Sequence, residues 1–242
     1  MMQANQRLRS TIQLTAVTVL FALATTLAYG ANPNPRIAPI DSNPYGNSYG
    51  EWSARWMQWF FSIPQGTNPA LDPTGAFCAQ GQTGKVWFLA GSLLNGSFTR
   101  TCTVPPGTAL FLPITNGVFG AAVFDCDPTN PGVPCDVTTL RAAADAAMDP
   151  KNLDLKASID GVPIGNLLDY RVQSPVFAVT LPNDNIVGIP SGTYSPMVSD
   201  GYWLLIAPLP PGNHTIHFSS TITGGPFNGS QTDVTYDLTV GR

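Results

Sequence analysis

The sequence predicts a mainly β protein: an antiparallel β-sandwich, Ig-like or jelly-roll, with an N-terminal aromatic helix and one further short helix. Three observations carry that prediction. Apolar residues recur at every second position through the later two-thirds of the chain, the pattern of strands with one buried and one wet face. Turn-forming residues punctuate these runs, with Gly and Pro at 23 each in 242 residues. Charged residues are only 11% of the chain, and few charges with many turns suit a β fold better than a helical one.

The elements follow in order. Residues 1–30 read as a secretory leader. Arg7 and Arg9 give a positive start, Ile12 to Leu27 carry no charge, and Ala28-Tyr29-Gly30 puts small residues at −3 and −1. The apolar run falls short of the ~20 residues that a membrane-spanning helix needs. Cleavage is expected after Gly30, with Ala31 as the next candidate. Residues 31–47, rich in Pro and Asn, read as an extended arm. Residues 48–242 then form a single β-sandwich domain.

Ser48 and Glu51 have capping-box spacing and open a helix that Ile63-Pro64 closes near Phe61. Trp52, Trp56, Trp59 and Phe60 fall on one face of it. Glu51 and Arg55 are spaced for a surface ion pair. The first strand-like runs, Lys85 to Ala90 and Phe98 to Val104, flank Asn95-Gly96 and read as a hairpin. A third run is Ala109 to Thr115. Asp136 caps a second helix, about Val137 to Met148. Further strands are read at Leu155–Ile159, Tyr170–Val172, Val176–Leu181, Tyr202–Ala207 and His214–Phe218. The final run alternates Val234, Tyr236, Leu238 and Val240 with polar residues. Asp160-Gly161 and Asp200-Gly201 read as turns.

Four cysteines allow three pairings. An even count in an exported chain reads as two disulfides, and Cys78–Cys102 with Cys126–Cys135 is favoured because each closes a local loop. Zinc is not expected without a C-x-x-C pair. Removing Arg7 and Arg9 takes the formal charge from −4 to −6. An acidic chain with no basic cluster is a poor nucleic-acid binder.

Three stretches carry a resemblance: Ser48 to Trp59 (SYGEWSARWMQW), Arg100 to Pro105 (RTCTVP) and Val198 to Trp203 (VSDGYW). They look like a family of exported bacterial proteins of unassigned function, over most of the mature chain. Met57 stands where that family has a second Trp. The resemblance implies export and this fold, and brings no activity and no site.

Candidate sites have to be weighed on the residues themselves. The Trp52, Trp56, Trp59 and Phe60 face is either a helix packed on the sandwich or an exposed platform for sugar rings, and packing is the simpler reading. Tyr49, Glu51, Arg55 and Gln58 would supply polar contacts at its edge. Glu51 is the sole glutamate, which excludes a paired-Glu glycosidase. Its plain role is helix capping. His214 and His217, the only histidines, point to opposite faces of a strand and cannot chelate together. His214 with Asp200 and a Ser could make a triad, yet no G-x-S-x-G elbow is present. Asp125, Asp127 and Asp136 crowd one loop with Asn130 and offer hard oxygens for Ca²⁺, the only cofactor candidate. They lack the Gly and distal Glu of a calcium loop.

The expectation is a secreted or periplasmic, non-catalytic domain that binds a carbohydrate or envelope component at the aromatic helix edge, with Asp200 and His214 as further contacts. The alternatives are a secreted hydrolase or lyase on a sandwich scaffold, and a structural envelope or matrix protein.

Overall fold

The computed structural model describes residues 34, 36–123, 126 and 135–241. The segment read as a leader, its expected cleavage site and the loop residues Asp125, Asp127 and Asn130 lie outside them.

Helix α1 (Tyr49–Ser62) begins at a reciprocal capping box. The Glu51 N–H donates to the Ser48 hydroxyl at 3.3 Å, and the Ser48 N–H donates to the Glu51 carboxylate at 2.7 Å. These bonds occupy two of the helix-end groups that no intrahelical partner can reach. The second helix, α2 (Val137–Ala147), is capped by Asp136, whose carboxylate accepts the Thr139 N–H.

Among the described residues ten strands form two sheets. They are β1 (Val86–Phe88), β2 (Ser97–Val104), β3 (Ala109–Gly120), β4 (Leu153–Ile159), β5 (Val162–Pro163), β6 (Arg171–Gln173), β7 (Phe177–Leu181), β8 (Gly192–Ile206), β9 (Gly212–Ile222) and β10 (Gln231–Val240). The first sheet has the order β1-β3-β8-β6, with β7 also on β8; the second runs β2-β10-β9-β4-β5. Most pairs are antiparallel, but β1 lies parallel to β3 and β2 parallel to β10.

Two local expectations are corrected. The runs on either side of Asn95-Gly96 are not a hairpin: β1 belongs to the first sheet and β2 to the second. Arg100 of β2 reaches across and holds the Ala90 and Gly91 carbonyls, both at 2.9 Å, so the intervening segment is a crossing between sheets. Asp200-Gly201 is not a turn but the interior of β8. Gly201 is needed there because a Cβ would stand 2.6 Å from the Thr115 carbonyl oxygen of the neighbouring strand. By contrast, Asp160-Gly161 is a tight turn with positive φ at both residues, 52° and 76°, the requirement of a two-residue hairpin.

The two helices cover opposite faces of the first sheet. Ser53 of α1 meets Ser199 at 3.5 Å, while the Tyr202 hydroxyl donates to the Met148 carbonyl at the end of α2. Positions 199 and 202 of one strand point to opposite sides. The second sheet touches β3 through β9 and β4. The arm is not a free tether: Ile37 is buried, and Ala38 and Ala207 bond across to Leu205 and Arg36.

Aromatic rings fill the space under α1. Phe111 stacks on Trp203 at 5.2 Å and 6°, Trp56 meets Trp203 edge-on at 5.5 Å, and Trp56 stacks on Phe60 at 5.2 Å. Such rings each bury on the order of 150–250 Å².

The disulfides are Cys78–Cys102 and Cys126–Cys135, the favoured pairing. Two disulfides fit an oxidising environment outside the cytoplasm. No helix among the described residues is long and apolar enough to cross a membrane.

Beside the first disulfide lies Asp72. Its carboxylate accepts from the Thr74 N–H at 2.8 Å, the Thr74 hydroxyl at 2.7 Å and the Phe77 N–H at 2.8 Å. Burial pushes its pKa up, but these donors and the Arg100 charge outweigh burial and hold it below the ordinary value. A carboxyl depressed in the folded state stabilises above its unfolded pKa of roughly 3.9, and that contribution disappears as pH falls through the lower folded value. Asp72→Asn should therefore lower the urea midpoint at pH 7 and flatten the dependence of stability on pH below about 4. Parallel pH curves for variant and parent would contradict this role.

Candidate functional site

The helix residues singled out in the sequence have structural duties. All three indole N–H groups of α1 are engaged by backbone carbonyls from separate segments: Trp52 on Pro44 at 2.9 Å, Trp56 on Leu89 at 3.0 Å and Trp59 on Gln80 at 2.8 Å. The rings are buried, none more than 8% exposed. They are core, not a stacking platform, because the sheet needs that apolar cover. Tyr49 ties the arm to the sheet. Its hydroxyl donates to the Ala38 carbonyl at 2.6 Å and accepts the Leu205 N–H at 3.2 Å, and burial raises its pKa well above the ordinary tyrosine value. Glu51, exposed, has its pKa lowered by the Ser48 N–H and hydroxyl. Its carboxylate caps the helix, and Arg55 instead lies 5.4 Å over the Trp52 ring. Gln58 donates to the Ala178 carbonyl at 3.1 Å.

Asp200 and His214 are held apart. Asp200 is fully buried on β8 and takes two bonds from Arg171, at 3.0 and 2.8 Å, and one from Gln173 at 3.2 Å. Burial alone would lower the Arg171 pKa; the Asp200 carboxylate outweighs it and raises it. The same guanidinium reaches Asp145 of α2 at 2.9 Å, so this ion cluster fastens α2 to the sheet. His214, at the start of β9, places Nδ1 3.0 Å from Asp160 and Nε2 2.8 Å from the Pro210 carbonyl. Both ring nitrogens are thus hydrogen-bonded, as expected, but the residue is half-buried rather than buried. Asp233 binds both His217 and Ser97, at 3.0 and 2.8 Å. The carboxylate lies between the other two, so the histidine cannot take a proton from the serine and this is no catalytic relay. Among the described residues no three His, Cys, Asp or Glu side chains cluster as a metal site. Asp136, the described member of the acidic loop, serves as the α2 cap.

A cleft of about 380 Å³ opens where α1, β3, the loop 91–95 and the β9–β10 turn approach one another. That volume lies within the ~300–1,000 Å³ span of ligand sites. Trp56, Met57 and Phe60 form its apolar back, and Pro113 to Val118 of β3 run along its floor. Thr115, Asn116, Ser220, Gln231 and Thr232 also line it, and among the described residues their side chains have no protein hydrogen-bond partner. Gln231 is exposed, but the other four are buried or half-buried, where polar groups normally find partners; here they face an open space.

No known protein-family model matches the chain, and no curated protein is similar to it.

None of the cleft's polar residues was singled out by sequence reasoning. One signal was available. Pro113 interrupts an otherwise continuous apolar run, and proline inside a strand marks an edge that lacks a neighbour. Leu93-Leu94 in a turn was a second, since Leu93 is 59% exposed at the cleft rim.

Proposed function

We propose that this chain is an exported binding domain whose ligand occupies the cleft along β3. One observation carries the reading: an apolar hollow walled by rigid aromatic core and furnished with polar side chains that nothing in the protein satisfies. Pockets that fix a ligand's orientation combine those two features. The leader-like first thirty residues, the disulfides and the resemblance to exported bacterial proteins support export to the periplasm or beyond. The aromatic rings give the cleft a back wall, but their faces are spent on one another, so stacking on sugar rings loses its motive. The hydrolase reading draws little support, because Asp200, His214 and Arg55 serve three separate structural contacts.

The test is an NMR titration of the mature domain, taken from the extracytoplasmic fraction of its host, where the chain should begin at Ala31. Probes are small apolar compounds, oligosaccharides and peptides. Amide resonances of Leu93, Asn116 and Gln231 should move on binding, and Asn116→Ala should weaken binding several-fold, one lost hydrogen bond being worth about 1 kcal/mol. Shifts confined to other surfaces, or a chain found in the cytoplasm with Met1 intact, would sink the proposal.

A further inference from the structure

Resting on the cleft reading, we infer that the occupant is an extended polypeptide segment that adds to the free edge of β3 as an extra strand. The sheet itself provides the vacancy. β3 runs from Ala109 to Gly120, but β1 pairs only with Ala109 to Phe111, and β8 takes the opposite edge throughout. Among the described residues no strand lies on the free side from Pro113 to Val118, and no backbone bond reaches that side.

The cleft lies along this edge. All six consecutive residues from Pro113 to Val118 line it. Successive side chains of a strand point to opposite faces, so a cavity that touches every one of them must follow the backbone itself. An unpaired edge is a row of N–H and C=O groups at strand spacing, and another extended chain matches it group for group. Sugar rings and small apolar compounds have no such repeat.

Two devices limit what can bind. Pro113 has no N–H, and the ladder register shifts between Pro113 and Thr115. A proline and a bulge close the first part of an edge to pairing, which leaves Thr115 to Val118 as the addressable length. The loop at 91–95 and the start of β10 wall the groove on its other side, so it admits one strand rather than the edge of another sheet. That geometry argues for a partner's extended segment over a second copy of this chain. Exposed Leu93 at the rim offers an apolar anchor, while the Asn116 and Gln231 amides can satisfy the incoming backbone where the ladder stops.

The experiment selects a binder of about ten residues from a displayed peptide library against the disulfide-intact domain. The peptide is then compared with two versions N-methylated at alternate residues, one set for each register. Strand addition uses only the amides that point at β3. One methylated version should lose roughly a hundredfold in affinity and the other less than about threefold, a hundredfold being about 2.7 kcal/mol. Amide exchange should slow on binding at those alternate residues of Thr115 to Val118 whose N–H points away from β8, and Leu93→Asp should weaken binding about tenfold. Equal binding by parent and both methylated peptides would overturn the inference, as would protection at other amides. A dimer in light scattering that Leu93→Asp dissolves would overturn it in favour of a second copy. If oligosaccharides or apolar compounds move the Leu93 and Asn116 resonances and no peptide does, strand addition fails while the cleft reading stands. If no probe moves them, both fall.

Discussion

Replacing Arg100 with methionine should cost about 3–5 kcal/mol, a large share of the ~5–15 kcal/mol that holds a domain together. Arg100 is 1% exposed, yet no carboxylate forms an ion pair with it among the described residues. Its guanidinium spans the interior instead. Nε donates to the Asp72 carbonyl at 2.8 Å, and Nη1 donates to the Ala90 and Gly91 carbonyls and the Tyr236 hydroxyl, all at 2.9 Å. The charge lies 5.6 Å over the Tyr236 ring. Methionine fills the volume but orphans the Asp72 and Gly91 carbonyls, each costing about 1–3 kcal/mol when left unpaired and buried, while the Ala90 carbonyl keeps the Tyr236 hydroxyl. Lysine keeps the charge without the planar fork, and one ammonium cannot reach partners on opposite sides of a guanidinium. Arg100→Lys should fall between parent and methionine in urea denaturation. A loss below about 1 kcal/mol for Arg100→Met would show that relaxation or water replaces the arginine.

Trp203→Ala should cost about 3–5 kcal/mol through the cavity it leaves. Trp203 has no exposure and joins the stack of Phe111 to the edge of Trp56, so its loss removes the layer between α1 and the first sheet. Trp203→Phe makes the informative contrast. The Trp203 indole N–H is buried without a partner among the described residues. Phenylalanine therefore removes an unpaired donor as well as some volume, and the two effects oppose each other. The expected cost is about 1–2 kcal/mol, well below that of alanine, with the aromatic near-ultraviolet signal retained. Equal losses for both variants would show that a single phenyl ring recovers none of the packing and that the stack needs the full indole.

Local chemistry made much of this fold legible in the sequence. Ser48 and Glu51 announced α1, Asp136 announced α2, and the alternation from Val234 to Val240 announced β10, because each signal acts within a few residues. The favoured disulfides were readable for the same reason. Strand partners were not. The parallel pairings of β1 and β2 depend on where the chain goes after Gly91, and Arg100 decides that through contacts nothing in its own run reveals. Asp200-Gly201 misled because a glycine chosen for close backbone approach looks like one chosen for a turn. The cleft was invisible since its floor is main chain, and an edge without a neighbour leaves almost no trace in residue types beyond Pro113.

The place of β10 in the second sheet has a consequence for assembly. It lies between β2 and β9, and Ser97 meets Asp233 across 136 residues of chain. A growing polypeptide thus holds β2 through Thr74 and the Arg100 contacts, with no strand partner, until β10 arrives. Such distant pairing slows closure of the second sheet. A chain built this way keeps one edge of its second sheet open until β10 takes its place between β2 and β9.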